Sequence, residues 1–354
     1  MKRQCTLGLL CAVWLYAVDA PAVGTPARLI DQGHYKQVRA IAERQNRDHP
    51  NDPETLWLMS IVKLMWGDHK TAVELAEKTV AADPKNPRYR LQLAQAVGDE
   101  AQKASILRQP GLARRFKKEL DTALALDPKN LEAMKLLIVY YFVAPGIMGG
   151  DKAAGRTMAD QMMRIDPVEG YLAQVTVARY DKQESRIEEL LRKAVEAGPA
   201  SYRAHANLAS FCLGPVKKYG EAEAHAREAL RIDPGRAGAH GVLVMSLIAQ
   251  DKWAELDAAL AETDKDVPDD LSPYFRAGLS CLAKPGELAR AERYFRKYLT
   301  QEPEPNTASH SRARWRLGQT LEKENRQPEA IAELQASVKL DPDSPARQDL
   351  KRLK

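Results

Sequence analysis

Apolar residues in this chain come in short helical faces separated by polar turns, and the arrangement repeats. From residue 53, Leu56, Met59 and Ser60 lead to a Gly67-Asp68-His69 turn, then to Ala72, Ala76 and Thr79, and the stretch closes at Pro84. Residues 202–236 run in the same order through Leu208, Ala209, Ala222, Ala226, Ala229 and Pro234. Residues 311–344 do so through Leu317-Gly318, Leu321, Ala330, Leu334 and Pro342. Spacings of three and four put each set on one face of a helix. Each stretch therefore predicts two helices joined by a tight turn and stopped by a proline, which has no amide proton to continue the ladder. The closing turns recur as Asp83-Pro84, Asp127-Pro128, Asp166-Pro167, Gly198-Pro199, Asp233-Pro234, Val267-Pro268, Glu302-Pro303 and Asp341-Pro342. Several intervals lie near 34 residues, a period that signals a solenoid of stacked helical units.

Small residues fall at corresponding places: Ser60, Ala209 and Gly318 in first helices, Ala72, Ala222 and Ala330 in second helices. Two helices approach closely only where side chains are small at the crossing, and larger residues such as Leu208, Leu317 and Leu334 then fill the seam. This combination of spacing, small positions, apolar positions and terminal proline resembles the tetratricopeptide repeat (TPR) family over nearly the whole chain. The units fall at 25–52 (first helix short), 53–86, 87–130, 131–167, 168–201, 202–236, 237–270, 271–305 and 311–344. The resemblance implies an all-α, right-handed superhelical solenoid, with first helices on the concave face and second helices outside. Pro345–Lys354, with Leu350 and Leu353 three apart, reads as a short polar capping helix, which terminal repeats require. The weakest joint is expected at Gln301–His310, around Pro303 and Pro305.

Composition adds little that the pattern lacks. The 354 residues are 44% hydrophobic, 29% charged and 6% aromatic, too polar for a multi-span membrane protein and poor in the residues that favour strands. The N-terminus is the exception. Lys2 and Arg3 precede an apolar run from Leu7 to Val18, and Ala20-Pro21-Ala22 follows, the layout of a secretory signal peptide cleaved after Ala22. The run is too short for a spanning helix, so no integral membrane span is expected in the mature chain, which would be periplasmic or secreted. Losing Lys2, Arg3 and Asp19 lowers the formal charge from +5 to +4, and Cys5 and Cys11 leave as well. Cys212 and Cys281 remain, at the same place in first helices two units apart. At roughly 10 Å per stacked unit they are too distant for a disulfide, so two free, buried thiols are expected.

Two units depart from the period. Unit 87–130 is about ten residues longer, with the surplus around Gly98–Gly111. Unit 131–167 carries Ala144-Pro145-Gly146-Ile147-Met148-Gly149-Gly150-Asp151-Lys152, which resembles an Ala-Pro-Gly-x-x-Gly-Gly loop in a group of bacterial exported TPR proteins. Pro145, Gly146, Gly149 and Gly150 form a candidate loop. It reads as a wide turn with Asp151 capping the next helix, or as a ligand-facing rim of the groove. Gly146-x-x-x-Gly150-Asp151-Lys152-Ala153 imitates a phosphate loop only loosely, lacking the glycine spacing and the Ser/Thr.

The family's groove positions fall on Trp57, Leu58, Ile61 and Met65, then Leu91 and Gln95, then Leu136, Val139 and Phe142. This is an apolar stripe, suited to a partner or covered by the chain's own insertions. Toward the C-terminus the lining turns polar, with Arg203, Asn207 and Arg316. These resemble parts of a carboxylate clamp, but no unit holds the full set.

No catalytic motif, no cofactor-binding loop and no metal-ligand spacing is present. His205 and His240 occupy matching groove-adjacent positions in neighbouring units, and a packing role fits them better than ligation. The basic clusters Arg114–Lys118 and Arg312–Arg316 read as solvated helix faces, and no nucleic acid is expected. The sequence thus points to a non-enzymatic scaffold without cofactor or metal, holding a segment of another protein in its concave groove. A structural envelope subunit docking by convex or end surfaces is the alternative, and an enzyme using the 144–152 loop is a third.

Overall fold

The computed structural model describes residues 24–353, so the leader-like segment with Cys5 and Cys11 lies outside the described residues. Among the described residues there are nineteen α-helices, two short 3₁₀ turns and no strand. Eighteen helices form successive pairs: α1 (Pro26–Gln32) with α2 (Tyr35–Asp48), α3 (Pro53–Met65) with α4 (His69–Ala82), α5 (Pro87–Lys103) with α6 (Gln109–Leu126). Then come α7 (Leu131–Val143) with α8 (Lys152–Ile165), α9 (Pro167–Tyr180) with α10 (Ile187–Ala197), and α11 (Tyr202–Leu213) with α12 (Tyr219–Ile232). The last are α13 (Ala237–Ala249) with α14 (Trp253–Asp266), α15 (Ser272–Leu282) with α16 (Leu288–Tyr298), and α17 (His310–Lys323) with α18 (Gln327–Leu340). Helix α19 (Ala346–Leu353) closes the stack on α18. First helices also touch one another, α3 with α5, α7 with α9, and α11, α13, α15 and α17 in series, so they form an inner layer.

Local chemistry sets the helix starts. Asp52, Asn86, Asn130, Asp166, Ser201 and Ser309 each accept a hydrogen bond from a first-turn amide, satisfying a donor with no partner inside the helix. Asp166 ends α8 and caps α9, with Pro167 as the first residue of α9. There the proline starts a helix as much as it stops one, because its missing N–H costs nothing in a first turn.

The small positions do what close helix crossing demands. A Cβ on Gly318 would stand 2.8 Å from Leu334 Cγ, so the α17–α18 pair is that tight. Leu208, Ala209, Ala222 and Ala226 are all buried between α11 and α12, split between two adjoining apolar clusters. Cys212 and Cys281 are free and buried, and burial pushes the Cys281 thiol up to about 12.

The surplus of unit 87–130 is helix rather than loop. Helices α5 and α6 have 17 and 18 residues against 13 and 14 in α3 and α4, and only 104–108 lies between them. No proline interrupts 98–103, and Gly98 faces the Phe116 ring, which lets the long pair stay close.

The stack also curves until its beginning meets its later units. Arg236 pairs with Asp31 and Asp233, and donates to the Asp31 carbonyl at 2.6 Å. Gln32 donates to Asp233 at 2.8 Å, Gln37 to Asp269 at 2.7 Å, and Arg39 grips both oxygens of Glu302 at 3.1 and 2.7 Å. Apart from Arg236–Asp233, which lie in one turn, these pairs are 201 to 263 residues apart in sequence. They form a seam between the first helix pair and the turns that precede α13, α15 and α17.

Candidate functional site

Inside the curve, the N-terminal units enclose a chamber of about 1140 Å³. One wall comes from three inner helices whose lining residues sit about one turn apart: Trp57, Ile61 and Met65 on α3, Leu91 and the polar Gln95 on α5, Leu136 and Val139 on α7. Ile30 and Tyr35 of the first pair, Phe116 of α6 and the Ile106–Pro110 region supply other walls. The mouth is unusually apolar for exposed surface, with Ile106 83% exposed and Val143 64% exposed. A cylinder 10 Å across and two helical turns long fills about 850 Å³, so the chamber has room for a short helical segment.

Charge around the chamber is mixed. Arg88 lies 4.2 Å above the Trp57 ring and pairs with Glu54 at 2.8 Å, and Arg203 pairs with Glu169 at 2.8 Å. Asp31, Asp99 and Glu132 oppose them at the lining. Burial holds the Asp99 carboxyl above its ordinary range. No single sign dominates, so this wall does not select a strongly charged ligand.

Trp57, Ile61, Met65, Leu91, Gln95, Leu136, Val139 and Arg203 are thus brought together at one surface. Leu58 and Phe142 are not. Leu58 is fully buried in the core shared by α2, α3 and α5, and Phe142 stacks on Tyr180 at 5.2 Å with Gly155 beneath it. Both lie on helices apolar all round, where one step along the chain turns a side chain by about 100° and moves it from groove to core. Asn207 is exposed and spends its amide on the Arg203 carbonyl at 2.8 Å. Arg316 lies 3.9 Å over Trp315 on α17, outside the chamber lining.

The glycine-rich loop is a tight turn. Gly149 has φ +91°, a left-handed conformation, and a Cβ on Gly150 would overlap the Ala144 carbonyl at 1.8 Å. Tyr140 donates to the Met148 carbonyl at 2.5 Å, and Asp151 caps α8 through the amides of Ala153 and Ala154 at 2.9 and 3.1 Å. Pro145 and Met148 reach the chamber lining, while Gly146, Gly149 and Gly150 do not. The glycines therefore shape the turn that presents Pro145 and Met148.

His205 and His240 hold equivalent structural posts rather than facing the groove. Each ring places Nε2 against the carbonyl of the proline six residues earlier, Pro199 at 3.0 Å and Pro234 at 2.9 Å, and both are buried. His205 Nδ1 meets His225 Nδ1 at 3.0 Å, and His240 Nδ1 meets the Thr263 hydroxyl at 3.1 Å. Among the described residues, no helix is long and apolar enough to cross a membrane.

Residues 282–345 match the family model of a tetratricopeptide repeat. No curated protein sequence matches the chain. Its fold is similar to that of the human IFIT1 dimer with PPP-AAAA, at a TM-score of 0.52 and 17% identity over 92% of this chain and 79% of that one. Weaker likenesses are yeast Tom70, at 0.46 and 12% over 93% of this chain and 86% of that one, and PilW, a widely conserved type IV pilus biogenesis factor, at 0.47 and 17% over 63% and 98%. A tetratricopeptide repeat is thus matched at 282–345, and the same helix-pair pattern runs through the described residues.

Proposed function

We propose that this chain is a non-enzymatic adaptor that holds a short apolar segment of a partner protein in the chamber formed by α3, α5 and α7. The reading rests on one observation: a cavity of about 1140 Å³ with apolar walls that opens through an exposed apolar mouth. Exposed apolar surface of this kind is costly in water and is retained where something covers it. A helix or extended strand of a partner would bury that surface against Ile61, Leu91, Leu136 and Val139, with Arg88, Gln95 and Arg203 available for backbone or side-chain contacts. The chain works without cofactor or nucleic acid. The basic start, apolar run and Ala20-Pro21-Ala22 support export, with the mature protein acting in the periplasm or outside the cell.

The test is site-specific photocrosslinking in cells. A probe at Val139 should give a discrete adduct that disappears in Ile106→Asp, a change at an 83%-exposed position that leaves the fold intact. A probe at the exposed Lys78 of α4, on an outer helix, should give none. Equal adducts from Val139 and Lys78 would refute groove capture.

A further inference from the structure

Three potential ligands from three separate segments converge where the seam closes. His34 comes from the turn between α1 and α2, Asp269 from the turn before α15, and Glu304 from the segment before α17. Their ligand atoms lie within 4.8 Å of one another. His34 is 6% exposed and Glu304 3%.

The hydrogen bonds fix the ring. His34 Nε2 lies 2.7 Å from the Gly235 carbonyl, which can only accept, so Nε2 carries a proton. Nδ1 faces Asp269 Oδ2 at 3.1 Å, and that oxygen already accepts from Gln37 at 2.7 Å. A neutral imidazole would therefore aim a lone pair at a carboxylate, so the arrangement calls for a cation beside Nδ1. The carboxylates are also short of compensation. Glu304 receives the Lys36 amide N–H, at 3.1 Å to one oxygen, and Asp269 Oδ1 is buried with no partner. Among the described residues no lysine or arginine forms an ion pair with either acid, so the His34 ring alone faces two largely buried carboxylates, and a single positive charge there leaves one of them uncompensated.

We propose that His34 Nδ1, Asp269 and Glu304 form a site for one divalent cation of the zinc class. One imidazole and two carboxylates suit zinc and its first-row neighbours, whereas magnesium and calcium take oxygen ligands. Three protein ligands leave a position for water. The Nε2–H bond to a backbone carbonyl is the outer contact that orients metal-bound histidines. A tetrahedral ion with bonds of about 2.1 Å keeps its ligands about 3.4 Å apart, so a modest turn of the Glu304 carboxyl completes the set. The ion would neutralise both acids and cross-link residue 34 to residues 269 and 304. This is independent of what occupies the chamber.

The experiment is zinc titration of the tag-free mature chain against a chromophoric chelator, with melting curves in parallel. One zinc per chain is expected, with a rise in melting temperature reversed by chelator. Magnesium should produce no rise. Glu304→Gln and Asp269→Asn should weaken zinc binding by more than about 100-fold, beyond what loss of an outer contact does. Glu304→Gln removes a buried charge and keeps the shape, so its metal-free melting temperature should equal or exceed that of the parent, which separates lost binding from lost fold. No stoichiometric zinc, or unchanged affinity in both variants, would overturn the site and leave a proton as the cation beside Nδ1.

Discussion

Arg236 is the sharpest place to ask whether the seam holds the stack closed. It is 17% exposed, donates to the Asp31 carboxylate and, at 2.6 Å, to the Asp31 carbonyl, pairs with Asp233 at 2.8 Å, and lies 4.8 Å over the Tyr202 ring. Arg236→Ala removes all of these. Asp31 is 58% exposed, so that ion pair contributes at most about 1 kcal/mol after solvent screening. The carbonyl bond contributes about 1 kcal/mol, whereas the Asp233 pair joins residues on one side of the seam and adds nothing to its closure. Seam opening should therefore become about 1 to 2 kcal/mol easier. The reporter is the Lys36 amide, a first-turn N–H of α2 whose acceptor is the Glu304 carboxylate across the seam. Its hydrogen exchange, measured with chelator present, should speed up roughly 5- to 30-fold, at about 1.4 kcal/mol per factor of ten. Amides in α17 and α18 should keep their rates. Unchanged exchange at Lys36, or an equal rise in α17 and α18, would refute the assignment of Arg236 as a seam contact.

Two further outcomes can be checked on the purified chain. Gly170→Ala should cost about 3 kcal/mol in denaturant unfolding, because its Cβ would stand 2.3 Å from the Met163 backbone, which cannot give way. Gly220→Ala should be neutral or stabilising by up to about 1 kcal/mol, since nothing lies closer than 3.8 Å there; equal effects would disprove the packing account. Burial holds His240 and His225 below the ordinary histidine value of 6.5, His225 with help from His205, so the folded state favours the neutral rings. Their contribution is complete above pH 6.5 and is lost as pH falls below it, where the unfolded chain takes up protons first. The change in unfolding free energy between pH 7.5 and pH 5, compared between His225→Asn and the parent, isolates this contribution: the variant should lose less stability on acidification, and an identical change in both would contradict the assignment.

The repeat was legible because each unit writes its own grammar locally. Capping residues such as Asp52 and Asn130, small residues such as Ala222 and Gly318, and the recurring prolines act within a few residues or across one helix pair. The groove was legible to within one helical step. Ile61 and Val139 face the chamber, while the neighbouring Leu58 and Phe142 do not, because helices apolar on every side give the moment no direction. The surplus in unit 87–130 was legible as extra length around Gly98–Gly111, but not as two longer helices, because glycine at 98 gives no sign that it admits the Phe116 ring. The seam left no local trace. Asp269, Glu302 and Glu304 look like ordinary turn acids, and only the accumulated curvature of the stack brings them to His34 and Arg39.

Closing the curve restricts how this architecture can be edited. An open solenoid gains or loses a unit with little effect on the others, since its stability is a sum over neighbours. Here deletion of any internal unit would leave Asp31, His34 and Arg39 facing the wrong partners, so repeat number becomes a fixed quantity. Pairs separated by 201 to 263 residues also raise the contact order well above that of helical hairpins. Joining the two ends is then expected to be the slow, late event in folding.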